Sequence, residues 1–546
     1  MPPEPSSHDG RQGDGSKGWI RVTASRHIVR VGLLMATAAI LLGWVISHTQ
    51  ATFADGLRYI HRAERIERDG VWTNLASGID HPLHPLAIAA THRLLGGHDP
   101  DSWQRAALTL SFACGVFLIV PVYLLTLELL GERSAWMACV LVMVNPIIGY
   151  IVVNVLSECT FLVPWMFGLW CAVRFLRDGR FIWLPPAVAL SAAAYLTRPE
   201  GMLLAIALVL TLLVIPMLKS THIHWPRWWA AMGFLMGGLL LLAGPYVALK
   251  GGLGTKPGIA RVLGLAPGAD ALALEREKPV PEGQTTFERY ATSGIRAIKA
   301  FRGAVTPPLF PFAILGILVA WWIPDRARSW LFLSIMLVAS WAALTRLHAI
   351  AGYCTIRHGL VPGLILTLAA AHGTTWLMGK ISLPGRFLGL GQERFRPGPA
   401  VWALLIGLGI VVPNLRALGP LNPGPFEVYE QAGTWIAEHA RNGEQILDLT
   451  DWTVFFSKRP GYVFADVYSA PADPTTRWVV VRKPHIDGHW HYSKVIRELI
   501  GDRRPVAVLP ASADPRQVQI RVYDRLAPDT AIAGALGARR PEQASR

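Results

Sequence analysis

Two carboxylates in this sequence could act as a general base, because an ionised carboxylate can take the proton of an attacking hydroxyl. They are Asp55 and Glu158, and each stands next to the end of an apolar segment. Arg357 stands at a similar position, and its planar guanidinium matches the oxygens of a phosphate group. Charged side chains at the edge of a membrane are costly unless they are paired, hydrated or functional. We therefore expect one site that accepts a proton and holds a phosphate.

The same three residues also have structural interpretations. Asp55 can cap the helix that follows it, and Ser157 with Glu158 can form the cap and the first turn of another helix. The side chain of Arg357 can extend along its span so that the charge reaches the membrane surface. Position alone does not choose between these roles and catalysis, so both stay open.

Further polar residues lie near the same span ends. The two histidines of the turn His81-Pro82-Leu83-His84-Pro85 could be polar donors beside a pocket or metal ligands, and the prolines between them favour the first role. Arg198 and Glu200 either close a hairpin as an ion pair or contact substrate. No metal ligand set is predicted. The candidate substrate-binding residues are Arg58, Tyr59, His81, His84, Arg198, Glu200, Arg357 and His358.

The composition places these residues in a polytopic membrane protein. The chain has 546 residues, of which 52% are hydrophobic and 16% charged, and a mean hydropathy of +0.35, which is too apolar for a soluble globular protein. A helix needs roughly 20 apolar residues to cross a bilayer, and about eleven such segments recur. They lie near 28–48, 107–130, 134–152, 157–177, 182–197, 202–218, 227–249, 304–323, 329–346, 356–378 and 400–418.

Basic residues in the short loops predict the orientation, because cytoplasmic loops retain Lys and Arg. Arg133, Arg174 and Lys219 mark loops of one side, which is also the side of the basic N-terminal tail. The N-terminus is therefore expected in the cytoplasm and the C-terminal region outside. The net charge of +15 lies largely in these loops, so topology accounts for it and no nucleic-acid partner is indicated.

Two other patterns complete the predicted organisation. Apolar residues recur at helical spacing from 57 to 66 opposite a basic face, which predicts a helix that lies in the membrane interface. Beyond a Gly- and Pro-rich linker, helices are expected at 428–441 and 494–500 and strands at 445–449, 478–482, 505–509 and 518–523, with 453–456 either strand or helix.

The predicted fold is thus a helical membrane protein with a small C-terminal extracytoplasmic α/β domain. Its parts are a basic, disordered cytoplasmic tail at 1–27, a transmembrane catalytic domain at 28–420 with external loops at 49–106 and 250–303, the α/β domain at 424–527 and a disordered tail at 528–546.

Three classes of function fit such a chain. An enzyme would use the charges gathered at one face of the membrane. A transporter or flippase for a lipid-linked molecule would account for many spans, but transporters usually carry charges near the bilayer midplane and internal repeats. A receptor would bind a partner through the α/β domain, whose Trp452, Trp478, Trp490 and His485, His489, His491 could form a binding patch or a core.

The order of these motifs resembles the GT-C membrane glycosyltransferases, in particular the bacterial protein-mannosyltransferase and aminoarabinose-transferase type. The resemblance covers roughly residues 28–420. The motifs that carry it are Phe53-Ala54-Asp55-Gly56, His81-Pro82-Leu83-His84-Pro85, Leu156-Ser157-Glu158, Thr197-Arg198-Pro199-Glu200-Gly201, and Arg357-His358 with Pro362. The sequence departs from the family where Gly56, not a second acid, follows Asp55, and at His84, where relatives often have an aromatic residue.

The resemblance implies a GT-C fold in the bacterial inner membrane and an inverting transfer on its outer face. The donor would be a sugar linked to polyprenyl phosphate, and the acceptor a lipid, glycan or protein. Asp55 matches the acidic residue that acts as the general base in the family, Glu158 lies near a second acidic position, and Arg357 matches the residue that holds the donor phosphate. No cofactor is implied with certainty, and a divalent cation is compatible with the family.

Overall fold

A computed structural model describes most of the chain. The described residues are 14–49, 54–77, 80–97, 100–217, 225–252, 283–323, 326–380, 383–384, 394–395, 399–418, 425–463, 467–488, 490–510 and 518–527. Most of the predicted external loop 250–303 and the predicted tails at 1–13 and 528–546 lie outside these ranges. Residues 14–27, in the tail that was expected to be disordered, belong to the first helix.

Helices make up nearly all of the described chain before residue 420. They are α1 (Asp14–Ser47), α2 (Ala54–Asp69), α3 (Val71–Ser77), α4 (Leu83–Leu95), α5 (Pro100–Phe117), α6 (Ile119–Leu130), α7 (Glu132–Met143), α8 (Pro146–Val153), α9 (Ser157–Asp178), α10 (Leu184–Thr197), α11 (Met202–Val214), α12 (Trp225–Leu249), α13 (Thr286–Val305), α14 (Phe310–Trp321), α15 (Ala327–Ala351), α16 (Leu360–Lys380), α17 (Pro399–Ile406) and α18 (Val412–Ala417). Short 3₁₀ turns at Pro199–Gly201 and Ile356–Gly359 precede α11 and α16.

Seven helices in the described ranges are long and apolar enough to cross a membrane, or nine if each of two bent pairs is one span. The prediction of about eleven spans is close to the upper of these two counts. All eleven predicted segments contain helix, but Phe181–Thr197 is short, and the segment near 400–418 is divided by a π-helical turn at Gly407–Val411.

The bend of 51° between α7 and α8 has a local cause. Asn145 caps α8 by accepting a hydrogen bond from the backbone N–H of Ile147, and Pro146 follows at the first helical position. The amide of Asn145 also donates to the carbonyl of Ala304 at 2.8 Å. The break in one helix pair is thereby bonded to α13 of the other bent pair.

The C-terminal region forms the predicted α/β domain. Its helices are α19 (Pro425–His439), α20 (Trp452–Ser457), α21 (Lys483–Asp487) and α22 (His491–Ile500), and its strands are β3 (Gln445–Asp448), β4 (Gly461–Tyr462), β5 (Thr476–Arg482), β6 (Ala507–Leu509) and β7 (Ile520–Asp524). β1 (Leu383–Pro384) and β2 (Arg394–Phe395) form a separate antiparallel pair earlier in the chain. The strand order β4-β3-β5-β7-β6 combines parallel pairing of β4, β3 and β5 with antiparallel pairing of β5, β7 and β6.

Alternation along the strands gives this sheet two apolar faces. Ile446 and Val480 belong to a cluster with α19, whereas the neighbouring Leu447 and Val479 belong to a cluster with α22. Of the six residues considered for a binding patch, Trp452, Trp478 and His485 are buried, whereas Trp490 is exposed. Residue 489 and the side chain of residue 491 lie outside the described set.

The first of these clusters also includes the apolar side of α2, which packs against α4 and α5. Leu57, Ile60 and Ala63 on the apolar side of α2 are buried in the same cluster as Tyr429 and Phe455 of the C-terminal domain. This side was expected to face lipid, but it packs against protein instead. An amphipathic helix needs an apolar environment on one side, and a folded domain provides it as well as a membrane does.

Candidate functional site

Asp55 lies in the first turn of α2, on the polar side of the helix. Its carboxylate is about one-third exposed. Leu57 and Ile60 are anchored on the opposite side of the helix, so the position of Asp55 is determined by buried packing and not by a loop. Arg58, one turn later, approaches Asp55 at 3.6 Å.

Glu158 lies in the first turn of α9, which begins directly after a strained backbone turn. Val155 has a φ of +52°, a conformation that is unfavourable for a β-branched residue. The interpretation of Ser157 as a helix cap is wrong, because Leu156 occupies the cap position and Ser157 is already helical. The hydroxyl of Ser157 instead bonds to Tyr59 at 3.2 Å and accepts from Arg198 at 3.1 Å.

Two short 3₁₀ turns place the arginines opposite these acids. Arg198 ends α10 and precedes the turn Pro199–Gly201, and Arg357 lies within the turn Ile356–Gly359 that leads into α16. Each turn ends in a glycine that packs closely against the backbone of another helix. A Cβ on Gly201 would lie 2.3 Å from the backbone of Tyr195, and one on Gly359 would lie 2.6 Å from the carbonyl oxygen of Ala300.

Arg357 is the centre of the resulting network. Its Nη1 donates to Asp55 Oδ2 at 2.9 Å, and its Nε donates to Glu158 Oε1 at 2.9 Å. Arg198 approaches the other oxygen of Glu158 at 3.0 Å and forms a bidentate pair with Glu200, at 2.6 and 3.2 Å. Residues up to 302 positions apart in the chain thus form one continuous chain of ion pairs.

Asp80 adds a second branch that sequence reasoning missed. It pairs with Arg58 at 3.1 Å and lies 4.0 Å from Arg62, whose guanidinium donates to the carbonyl of Asn74. Burial lowers the pKa of Arg58, but the attraction of Asp80, Tyr59 and Asp55 outweighs it and raises the pKa above its usual value. The sequence signal that could have identified Asp80 is its position directly before the His81-Pro82 turn, which was already a candidate motif.

Tyr59 and His84 form the buried support of this network. Burial, with Asp80 as the next contribution, raises the pKa of Tyr59 to about 12, so the phenol is neutral and can bond to Ser157. Burial lowers the pKa of His84 to about 4. Neutral His84 can donate from Nε2 to the carbonyl of Val155 at 3.1 Å and accept at Nδ1 from Thr160 at 2.8 Å. Its ring lies edge-on to Tyr59.

His81 and His358, also predicted to bind substrate, lie at the border of this network. His81 packs between the rings of Tyr195 and Tyr246. The Nδ1 of His358 bonds to the backbone N–H of Thr355 at 3.2 Å and to its hydroxyl at 2.8 Å. Within the described residues, no three His, Cys, Asp or Glu side chains are grouped so that they could hold a metal ion.

The arrangement offers the two functions that a group transfer requires. Asp55 is the more accessible acid and can receive a proton from a hydroxyl that approaches α2. Arg357 carries a fixed positive charge beside it, which can stabilise negative charge that develops on a leaving group. Glu158 is almost fully buried and holds both arginines in place.

Comparison with known protein families gives one match. Residues 80–243 match the family model described as dolichyl-phosphate-mannose-protein mannosyltransferase, a segment that contains Asp80, Glu158 and Arg198. None of the curated protein sequences matches the chain significantly.

The fold is similar to that of two solved membrane enzymes. The oligosaccharyltransferase of Archaeoglobus fulgidus aligns with 83% of this chain and 70% of its own length, at 14% identity and a TM-score of 0.55. ArnT from Cupriavidus metallidurans, solved with undecaprenyl phosphate, aligns with 92% of this chain and 99% of its own length, at 13% identity and a TM-score of 0.53. The archaeal enzyme, AglB, has also been solved with an inhibitory peptide and a dolichol-phosphate, at 14% identity and a TM-score of 0.53 over 83% of this chain and 69% of its own.

Identities this low support a shared fold and no more. The fold similarity extends over the helical region and the C-terminal domain together, and the family match covers the segment from Asp80 to α12. This chain therefore has the fold of these membrane enzymes, and one segment of it matches the mannosyltransferase family model.

Proposed function

We propose that this protein transfers a sugar from a polyprenyl-phosphate donor to an acceptor hydroxyl on the outer face of a bacterial inner membrane. Three observations support the donor: the family match, and the dolichol-phosphate and undecaprenyl phosphate in structures of two proteins with this fold. The predicted orientation supports the outer face, because the basic short loops lie at the opposite ends of the spans from Asp55 and Arg357.

The observation that carries the mechanism is the direct bond from Arg357 to Asp55 at 2.9 Å. An incoming phosphate is an alternative anion for this guanidinium, whose planar fork suits phosphate oxygens. Donor binding would draw Arg357 to the phosphate and release the carboxylate of Asp55. The base would thus become available when the donor is in place.

The reaction then proceeds as a single displacement. The acceptor oxygen forms a bond to the anomeric carbon, and the bond from that carbon to the phosphate oxygen breaks with its electron pair. The acceptor proton goes to Asp55, and the released polyprenyl phosphate is held by Arg357. One displacement inverts the anomeric centre. Glu158, Arg198 and Glu200 keep Arg357 in position through their ion pairs.

The test is an Asp55→Asn variant in a reconstituted assay. Purified protein is supplied with a panel of radiolabelled polyprenyl-phosphate sugars and an envelope extract as acceptor, and release of polyprenyl phosphate is measured. Because a positioned base contributes about 10²–10⁴ in rate, we expect a loss of that size. Asp69→Asn is the matched control, since Asp69 lies at the far end of α2 and pairs only with its neighbour Arg68 within the described residues.

Full transfer by Asp55→Asn would reject the role of Asp55. No release from any donor by the parent protein would reject the proposed reaction as a whole. Transfer that produces the same anomer as the donor would reject the single displacement, because that mechanism requires inversion.

A further inference from the structure

A cleft of about 450 Å³ opens between α2 and the C-terminal domain. One wall is the polar side of α2, from Arg58 to Arg68, and the other is the segment from Asp451 to Val463. Trp103 of α5 also lines it, as does Phe455 of α20. None of the roles assigned above uses this space.

Its rim is basic and largely uncompensated. Arg65 and Lys458 are exposed and form no ion pair with any described residue. Arg459 donates to neutral oxygens, the side-chain oxygen of Asn442 at 2.6 Å and the carbonyl of Ala440 at 3.0 Å, so its positive charge is not cancelled. Three cations on two facing walls favour an anionic group between them.

A buried acid and a partly exposed histidine also line this cleft. Asp451 is buried and has a left-handed backbone conformation, with a φ of +67°. Its Oδ1 pairs with His61 Nε2 at 3.2 Å, and within the described residues its Oδ2 accepts no hydrogen bond. Burial lowers the pKa of His61, but Asp451 and Glu64 outweigh this effect and raise it to about 10. A buried carboxylate of this kind can accept hydrogen bonds from ligand hydroxyls.

The cleft reaches the proposed catalytic centre through Arg58. This residue lines the cleft, and its guanidinium lies 3.6 Å from the carboxylate of Asp55. A molecule that fills the cleft therefore extends to within a side-chain length of the proposed base. The cleft is on the side of α2 that faces the C-terminal domain, where a second substrate could enter without passing between the spans.

We propose that this cleft binds the acceptor, and that the acceptor is a saccharide that carries a phosphate or carboxylate group. The proposal rests on the proposed function, because it assumes transfer at Asp55. The anionic group binds between Arg65, Lys458 and Arg459, and sugar hydroxyls bind Asp451 and His61. The combination of a cationic rim with a buried acid favours a molecule with both an anion and hydroxyl donors over an acidic peptide.

The test measures binding of a soluble probe to the purified full-length protein. Glucose 6-phosphate is titrated by calorimetry, beside glucose, inorganic phosphate and a tetrapeptide of Asp and Glu. We expect glucose 6-phosphate to bind most tightly, and the double variant Arg65→Gln/Lys458→Gln to weaken it at least about tenfold, because two charge-assisted contacts are lost. Lys494→Gln is the control, since Lys494 is an exposed residue of α22 outside the cleft.

Equal binding of inorganic phosphate or of the peptide would overturn the saccharide assignment. Unchanged binding in the double variant would overturn the site. In the transfer assay, the double variant should raise the KM for the extracted acceptor and leave the KM for the donor unchanged. Labelled product in the organic phase of the extract would identify a lipid-linked acceptor, and product in the aqueous phase a soluble one.

The binding and transfer experiments together distinguish a failure of the proposed reaction from a failure of the proposed acceptor cleft. Asp55→Asn should bind glucose 6-phosphate as the parent does, because Asp55 does not line the cleft. Probe binding without any transfer would leave the cleft in place and reject the proposed reaction. Transfer without probe binding, or with a KM for acceptor that the double variant does not change, would reject the cleft alone.

Discussion

Glu158 and Asp55 both bond to Arg357, but their surroundings give them different roles. The side chain of Glu158 is 2% exposed and lies between two guanidiniums, whereas that of Asp55 is 31% exposed. A substrate hydroxyl can reach Asp55 more readily than Glu158. We therefore assign Glu158, which the sequence had suggested as a second catalytic residue, the role of a positioning residue for Arg357 and Arg198.

This assignment predicts the behaviour of Glu158→Gln. The variant keeps the shape of the side chain but leaves two buried guanidiniums without their shared counter-charge, and removal of one partner of a buried ion pair costs about 3–5 kcal/mol. We expect a lower apparent melting temperature and a higher KM for the donor, because Arg357 loses one of its anchors. The control is Glu438→Gln, on the exposed side of α19. Unchanged stability and donor KM together with a lower kcat would instead indicate direct participation in the chemistry.

At the scale of elements, the site depends on the close approach of a short turn to a long helix. The turn Ile356–Gly359 places Arg357, and Gly359 packs against the backbone of α13 at Ala300. Only glycine fits at this contact, because an added Cβ would overlap a carbonyl oxygen that cannot move independently of its helix. The position of Arg357, the residue proposed to bind phosphate, is thus determined by packing between backbones.

Gly359→Ala should therefore displace the turn and reduce transfer. Overpacking of this kind costs about 1–3 kcal/mol in stability, and a shift of about 1 Å at a catalytic group can cost about 10² in rate. Gly237→Ala is the control, since Gly237 is also helical but has no atom within 4 Å of an added Cβ. Transfer rates are measured for both variants. Equal rates would mean that the Gly359 contact does not position Arg357.

At the scale of the whole molecule, the C-terminal domain and α2 belong to one apolar cluster. Ile60 and Ala63 of α2 are buried together with Tyr429 and Phe455 of the domain. The side chains on the second face of the sheet form a separate cluster together with Val495 of α22. The domain therefore contributes to the cluster that holds α2, together with α4 and α5.

Phe455→Ala should destabilise α2 more than Val495→Ala does, although Val495, which packs on the other face of the sheet, is buried to a similar extent. Loss of a buried Phe side chain costs about 3–5 kcal/mol, and Phe455 stands edge-on to His61 of α2. We expect faster hydrogen exchange of the α2 amides in Phe455→Ala. In Val495→Ala we expect faster exchange within the domain only. Equal exchange of α2 in both variants would show that the shared core does not support this helix.

The orientation in the membrane is a further property of the whole molecule. It is predicted from the basic short loops, so the exposed Tyr468 of the C-terminal domain should lie outside and the exposed Arg180 between α9 and α10 inside. In a chain whose five cysteines are replaced by serine, Tyr468→Cys should react with an impermeant maleimide in intact cells. Arg180→Cys should react only after permeabilisation. The reverse pattern would invert the topology and place the site in the cytoplasm.

Local patterns in the sequence were sufficient to predict the membrane class, the helical segments and most strands of the C-terminal domain. Hydropathy and periodicity report on single elements, because each element must bury its own apolar side. For the same reason the strand β4, which has only two residues, and the short helix α21 were not predicted. Hydropathy also did not show that the helices near 182–197 and 400–418 are short or interrupted.

For the candidate site as well, the sequence indicated the residues and the tertiary structure decided how they are paired. Residue type and position at span ends indicated Asp55, Glu158, Arg198, Glu200 and Arg357, because isolated charges there require partners. The tertiary structure alone decided which charge meets which, and that Asp80 belongs to the network. It also decided that the apolar side of α2 packs against protein and not lipid. Partners separated by up to 302 residues leave no local signal, since only the folded packing brings them within hydrogen-bonding distance.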